Sequence, residues 1–128
     1  MTRNTSRVHS ETDTRGVRYD LFIEQDDLSV RGNALASGDD AQDRACEDEI
    51  LERLEAGDVW AWASVEVRAS FDGFEASDYL GGCSYRDTAD FLAGGYYEDM
   101  KAEALASLIG SLEGACKAHA LLTAEVSQ

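Results

Sequence analysis

Val59-Trp60-Ala61-Trp62-Ala63-Ser64-Val65-Glu66-Val67-Arg68-Ala69-Ser70, followed by Phe71-Asp72-Gly73-Phe74, decides the fold of this chain. Val59, Ala61, Ala63, Val65, Val67 and Ala69 alternate with Trp60, Trp62, Ser64, Glu66, Arg68 and Ser70. A period of two places the first set on one face of a β-strand and the second on the other. Asp72-Gly73 is a tight-turn pair, so residues 75–83 are expected to return as an antiparallel partner. Gly81-Gly82 marks a bulge or weakening at that partner's end.

Working outward, Val17, Tyr19, Leu21 and Ile23 alternate in a second half-buried strand over residues 17–24. Residues 25–38, with Gly32, Asn33 and Gly38, read as a loop. Ser37 or Asp39 then caps a helix that runs to about Ala56 and stops at Gly57. Its apolar stripe is Cys46, Ile50, Leu51 and Leu54, with Asp48, Glu49, Glu52 and Glu55 opposite. Downstream, Ser84 starts a short helix near residues 86–93, ended by Gly94-Gly95. A long helix follows from Tyr96 to about Ala118, with Met100, Ala104, Leu105, Leu108, Ile109, Leu112 and Cys116 at helical spacing. The order β-α-β-β-α-α predicts an α+β domain: a three-stranded, mainly antiparallel sheet with two longer helices and one short one. Residues 1–16 are polar and aperiodic and read as a disordered tail. The domain is expected over residues 17–119, and residues 120–128 are expected to fray.

Charge is the dominant compositional feature. Eleven basic side chains stand against 26 acidic ones, a net of −15. Nine of the eleven are arginine, and only Lys101 and Lys117 are lysine. Self-repulsion on this scale costs stability, and solubility, a basic partner or a salty cytoplasm would each offset that cost. Between Asp39 and Asp58 lie nine acids and only Arg44 and Arg53. Carboxylates three or four apart on a helix stand about 5–6 Å from one another, near the spacing of successive phosphates on a nucleic acid. Such a row offers an arginine- and lysine-rich groove a ligand in place of phosphate. Asp39, Asp40, Asp43, Asp48, Glu49, Glu52, Glu55 and Asp58 are therefore the candidate partner-binding residues, with a merely solubilising helix as the alternative. Trp60 and Trp62, on the side away from the Val/Ala face, are the candidate interface residues, most simply of a homodimer, the alternative being that a helix or the segment over residues 84–95 covers them within the chain.

Enzyme signatures are scarce. No phosphate-binding glycine loop, C-x-x-C or H-E-x-x-H occurs. His9 and His119 are the only histidines, and nothing local supports a Cys83/His119 nucleophile–base pair. Asp39, Asp40 and Asp43 lack the alternating register of a calcium loop, so neither metal nor cofactor is expected. Cys46, Cys83 and Cys116 are odd in number and widely spaced, which favours reduced thiols in a cytoplasm. No long apolar run is present, so neither a transmembrane helix nor a secretory signal is expected.

Three stretches carry a family resemblance: Val30-Arg31-Gly32-Asn33-Ala34-Leu35-Ala36-Ser37-Gly38-Asp39-Asp40, Gly57-Asp58-Val59-Trp60-Ala61-Trp62-Ala63 and Tyr79-Leu80-Gly81-Gly82-Cys83-Ser84-Tyr85. They resemble a family of small acidic proteins carried by bacteriophages, prophages and plasmids, over roughly residues 17–108. The family has no common activity to carry over. By genetic context, size and charge it is similar to counter-defence factors, among them anti-CRISPR inhibitors and antirestriction DNA mimics. Composition and pattern already lead one to expect a non-enzymatic cytoplasmic protein without a membrane span, and the resemblance implies that it occupies the cytoplasm of a host bacterium and makes no direct contact with nucleic acid. Its expected partner is a basic nucleic-acid-binding protein, with the DNA-binding groove of a Cascade-type CRISPR surveillance complex first. An antirestriction mimic, or an interaction module of phage physiology, is the alternative.

Overall fold

The computed structural model describes residues 5–126. It is an α+β arrangement with four antiparallel strands in the order β1-β2-β3-β4. The strands are β1 (Ser6–Thr12), β2 (Arg18–Gln25), β3 (Ala63–Phe71) and β4 (Phe74–Cys83). The helices are α1 (Asp40–Glu55), α2 (Thr88–Ala93) and α3 (Tyr96–Val126). A 3₁₀ turn, Val59–Ala61, precedes β3.

The β3–β4 hairpin forms as its turn chemistry dictates. Phe71 pairs with Phe74, and Asp72 and Gly73 both take positive φ, 50° and 82°. That backbone twists with the strands it joins, which is why Asp-Gly suits it. At the far end the register steps from Val65↔Leu80 to Ala63↔Cys83, so β4 holds one extra residue where Gly81-Gly82 stand. Ala63, Val65, Val67 and Ala69 are at most 1% exposed and form the buried row of the central strand.

Three expectations require correction. The sheet has four strands rather than three, and the additional strand lies in the stretch read as a disordered tail. Ser6–Thr12 carries few large apolar residues because β1 is an edge strand held by polar contacts. Glu11 accepts hydrogen bonds from Lys101 Nζ (2.8 Å) and Tyr97 Oη (2.9 Å) and lies 2.9 Å from His9 Nε2. Residues 1–4 of that tail lie outside the described residues. At the other terminus α3 continues to Val126, whereas fraying was expected from residue 120; residues 127–128 again lie outside.

The two longer helices do not share one layer, because α3 and the short α2 cover the Val/Ala face. Phe91 of α2, 0% exposed, stacks on Trp60 at 5.3 Å and meets Tyr85 edge-on at 5.0 Å. Tyr97, Met100, Ala104 and Leu108 of α3 complete this core. Helix α1 instead packs on the 3₁₀ turn, in a second cluster of Val30, Ile50, Ala61 and Trp62. Ser84 was also expected to open the short helix, but Asp87 does so, accepting from the Asp90 amide at 2.9 Å.

Substituting Phe91 by Ala removes the ring on which Trp60, Tyr85 and Tyr97 converge, and is expected to cost about 3–5 kcal/mol in a denaturant titration. The Glu11 cluster gives a pH prediction. Hydrogen bonds from Lys101 and then His9 hold the Glu11 carboxyl down to about 2, from an ordinary 4.5. A carboxyl depressed on folding contributes stability that is present above its unfolded value and lost as pH falls toward its folded one. Acid titration should therefore loosen β1 from α3 between about pH 4.5 and 2. Glu11→Gln should weaken amide protection in β1 at neutral pH and remove that acid step.

Candidate functional site

Helix α1 is specified at both ends by its own residues. Asp39 caps it, accepting from the amides of Ala41 (3.0 Å) and Gln42 (3.2 Å). At the C-terminus Gly57 takes φ 87°, its N–H reaches Leu54 O at 3.0 Å, and Asp58 N–H reaches Arg53 O at 2.9 Å. This pair of bonds satisfies carbonyls the helix would otherwise leave open, and the left-handed residue between them favours glycine.

The eight candidate carboxylates divide into two groups. Asp39 is spent on the cap. Asp43 accepts from Ser37, through its hydroxyl at 2.7 Å and its amide at 3.1 Å. Asp48 accepts from Arg31 Nη2 at 2.5 Å, and Asp58 from Arg53 Nε at 2.8 Å. These four hold the loop and helix together. Asp40, Glu49, Glu52 and Glu55 are exposed and, among the described residues, make no hydrogen bond or ion pair. The free carboxylates do not form the single row expected from the helical wheel. Glu49 overlooks a cleft of about 460 Å³ that α1 shares with Trp62, Leu80 and Tyr85. Glu52 and Glu55, with Asp48 and Leu51, border a separate groove on the helix's other flank.

Arg31 is the residue that anchors α1, and sequence reading left it out of the candidate site. Its guanidinium spans Glu47 Oε1 (2.9 Å) and Asp48, while the other Glu47 oxygen accepts from the Gly32 amide at 2.8 Å. The Gly32 amide, then the Arg31 guanidinium, hold the Glu47 carboxyl below the usual range. Glu47, so paired, is one of the two buried acidic residues of the chain's described part. The only available signal was Arg31-Gly32 facing an acidic helix across a loop.

Trp60 and Trp62 are corrected outright. They are 7% and 3% exposed and lie inside this chain. The alternation of β3 begins at Ala63, so the 3₁₀ turn removes both indoles from the open sheet face. Trp60 joins the Phe91 core and donates to Thr88 Oγ1 at 3.0 Å. Trp62 donates to Leu28 O at 2.8 Å beneath α1. Neither ring is available to a second copy.

The open sheet face is instead lined by charges that offset one another. Arg68 lies 4.6 Å over the Phe22 ring and pairs with Glu66 at 3.0 Å, while Arg18 meets Asp20 at 3.1 Å. Ser77 donates to Glu66 at 2.6 Å. Cys83, weighed above as a nucleophile, is 5% exposed, and burial, with Asp26 adding, pushes its thiol up to about 11. A thiol so placed stays protonated near neutrality. Among the described residues no three His, Cys, Asp or Glu side chains cluster to hold a metal, and no helix is long and apolar enough to cross a membrane.

Replacing Arg31 by Ala leaves Glu47 covered with one partner fewer. Hydrogen exchange should then show lost protection along α1, with β3 and α3 unchanged. No protein-family model, curated protein or solved structure matches this chain.

Proposed function

We propose that the protein is a non-enzymatic inhibitor that sets α1 against the basic, nucleic-acid-binding surface of another protein. The observation that carries this reading is the division of charge on α1. Asp39, Asp43, Asp48 and Asp58 fix the helix to its loops, leaving Asp40, Glu49, Glu52 and Glu55 on a rigid scaffold with no internal partner. Their backbone is already ordered in the helix, so meeting arginines or lysines costs only the rotamer freedom of the side chains themselves. The open sheet face is self-neutralised and offers such a partner much less.

The family resemblance supports a counter-defence role, and within it an anti-CRISPR inhibitor that occupies the DNA-binding groove of a Cascade-type surveillance complex. An antirestriction mimic uses the same surface against a restriction or modification enzyme. Affinity capture from a host lysate separates the two by the subunits recovered. Recovery of metabolic enzymes alone would count against both.

Binding to the recovered partner should weaken steeply with salt, because exposed charges are screened beyond about 8 Å at physiological ionic strength. Glu49→Gln/Glu52→Gln/Glu55→Gln should weaken it roughly tenfold or more while the thermal midpoint is kept or raised. An affinity unchanged by the triple substitution would leave the acidic helix a solubility device. Cooperative unfolding in dilute buffer is also expected; a requirement for molar salt would instead mark adaptation to a saline cytoplasm.

A further inference from the structure

Of the eight large hydrophobic residues that stand exposed among the described residues, Ile109 (44%), Leu121 (70%) and Leu122 (64%) lie along the later part of α3, and Phe71 (39%) shares a pocket with Ile109. Past Leu112 no described residue of the helix joins the core. The helix nevertheless continues to Val126, nearly four further turns, a length that is marginal in water without tertiary support. Its apolar stripe continues as well. Leu108, Leu112, Ala115, His119 and Leu122 follow one another at alternating steps of four and three, so the line that the sheet covers at Leu108 runs on uncovered. At its root lies an apolar pocket of about 180 Å³ between Val17, Phe71, Leu105, Leu108 and Leu112.

We propose that this extension is a self-association surface on which a second copy of the chain lays the same stripe antiparallel. With Leu112 opposite the second copy's Leu122, Ala115 falls opposite its His119, and Leu122 of each copy sits at the mouth of the other's pocket. Knob and pocket belong to one surface, so a single two-fold axis satisfies both pairs at once.

Charge selects a second copy over other occupants. From Ala104 to Ala124 the only charged residues are Glu113 and Lys117, which cancel, in a chain of net −15. Two copies meeting through any acidic face repel; meeting here they bring together a neutral strip. A basic partner finds no acidic ligand along it and is drawn to α1 instead. From the Leu112 pair to the Leu122 pair the contact is a strip about 15 Å long and one helix, about 10–12 Å, wide. That falls short of the about 800 Å² per partner of a standard interface, so the pair is weak and depends on concentration.

Sedimentation equilibrium of the full chain, from about 10 to about 500 μM, tests the proposal across the range expected of a weak pair. The wild type should pass from monomer to dimer. Leu122→Glu should remain monomeric, and Leu28→Glu, at an exposed apolar site in the loop after β2, should behave as wild type. Raising the salt should strengthen the dimer by screening the repulsion of two acidic bodies, the reverse of its expected effect on a basic partner. A wild type that stays monomeric throughout overturns the proposal. So does a dimer that survives Leu122→Glu or dissociates as salt is raised.

Discussion

The buried row of β3 beneath α3 is the constraint on which the rest of the molecule depends. Ala63, Val65, Val67 and Ala69 are small, and Ala104 of α3 is itself fully buried, so helix and sheet lie close. Burial of this row contributes about 25 cal/mol for each Å² of apolar surface taken from water. It also fixes register, because a slip by one residue would turn Glu66 and Arg68 into the core. β2 and β4 hydrogen-bond along either side of β3, and β1 is reached only through β2. Everything remote from β3 needs its own attachment: the Glu11 cluster for β1, Arg31 for α1, and Asp26 for the long excursion. Asp26 accepts from the Gly82 amide at 2.6 Å and from Leu28 at 2.9 Å, tying the start of that excursion to the β4 bulge.

A chain of net −15 has few cations with which to make such attachments. Arg18, Arg31, Arg53, Arg68 and Lys101 each pair with a carboxylate at 3.1 Å or less. Exposed pairs of this kind add little stability singly, but here they decide where charge is cancelled and where it is left. Cancellation falls on the open sheet face, on the β1 edge and along the inner side of α1. What remains uncancelled on the two flanks of α1 sits on one helix, and the C-terminal half of α3 is left nearly neutral. Two surfaces of different character result, an acidic one where arginines leave carboxylates unpaired and an apolar one where α3 carries only Glu113 and Lys117 between Ala104 and Ala124.

The elements that sequence reading recovered are those specified by neighbours along the chain. Asp72-Gly73 can close a hairpin whatever surrounds it, Gly57 ends a helix because its backbone tolerates positive φ, and the alternation from Ala63 onward is a strand on any core. Alternation misled only at Trp60 and Trp62, where it extended by chance into a 3₁₀ turn. Hydrogen bonds to Thr88 and Leu28, distant in sequence, turn those indoles inward. Period-two spacing carries no trace of such partners.

For the candidate site, sequence determined that α1 is acidic and where it begins and ends, since caps and composition are local properties. Which of its carboxylates are free was decided only by the tertiary structure, because Arg31, Ser37 and the turn after Gly57 had first to come within hydrogen-bonding distance. The same holds at the two termini. Ser6–Thr12 lacks the apolar content of a strand on its own and becomes one through the edge of β2 and the side chains of Tyr97 and Lys101. The stripe of α3 was legible as a helical period, but only the sheet's finite length shows where its cover stops. A chain's local preferences are written in adjacent residues, whereas burial and pairing belong to residues that meet only once the chain has folded.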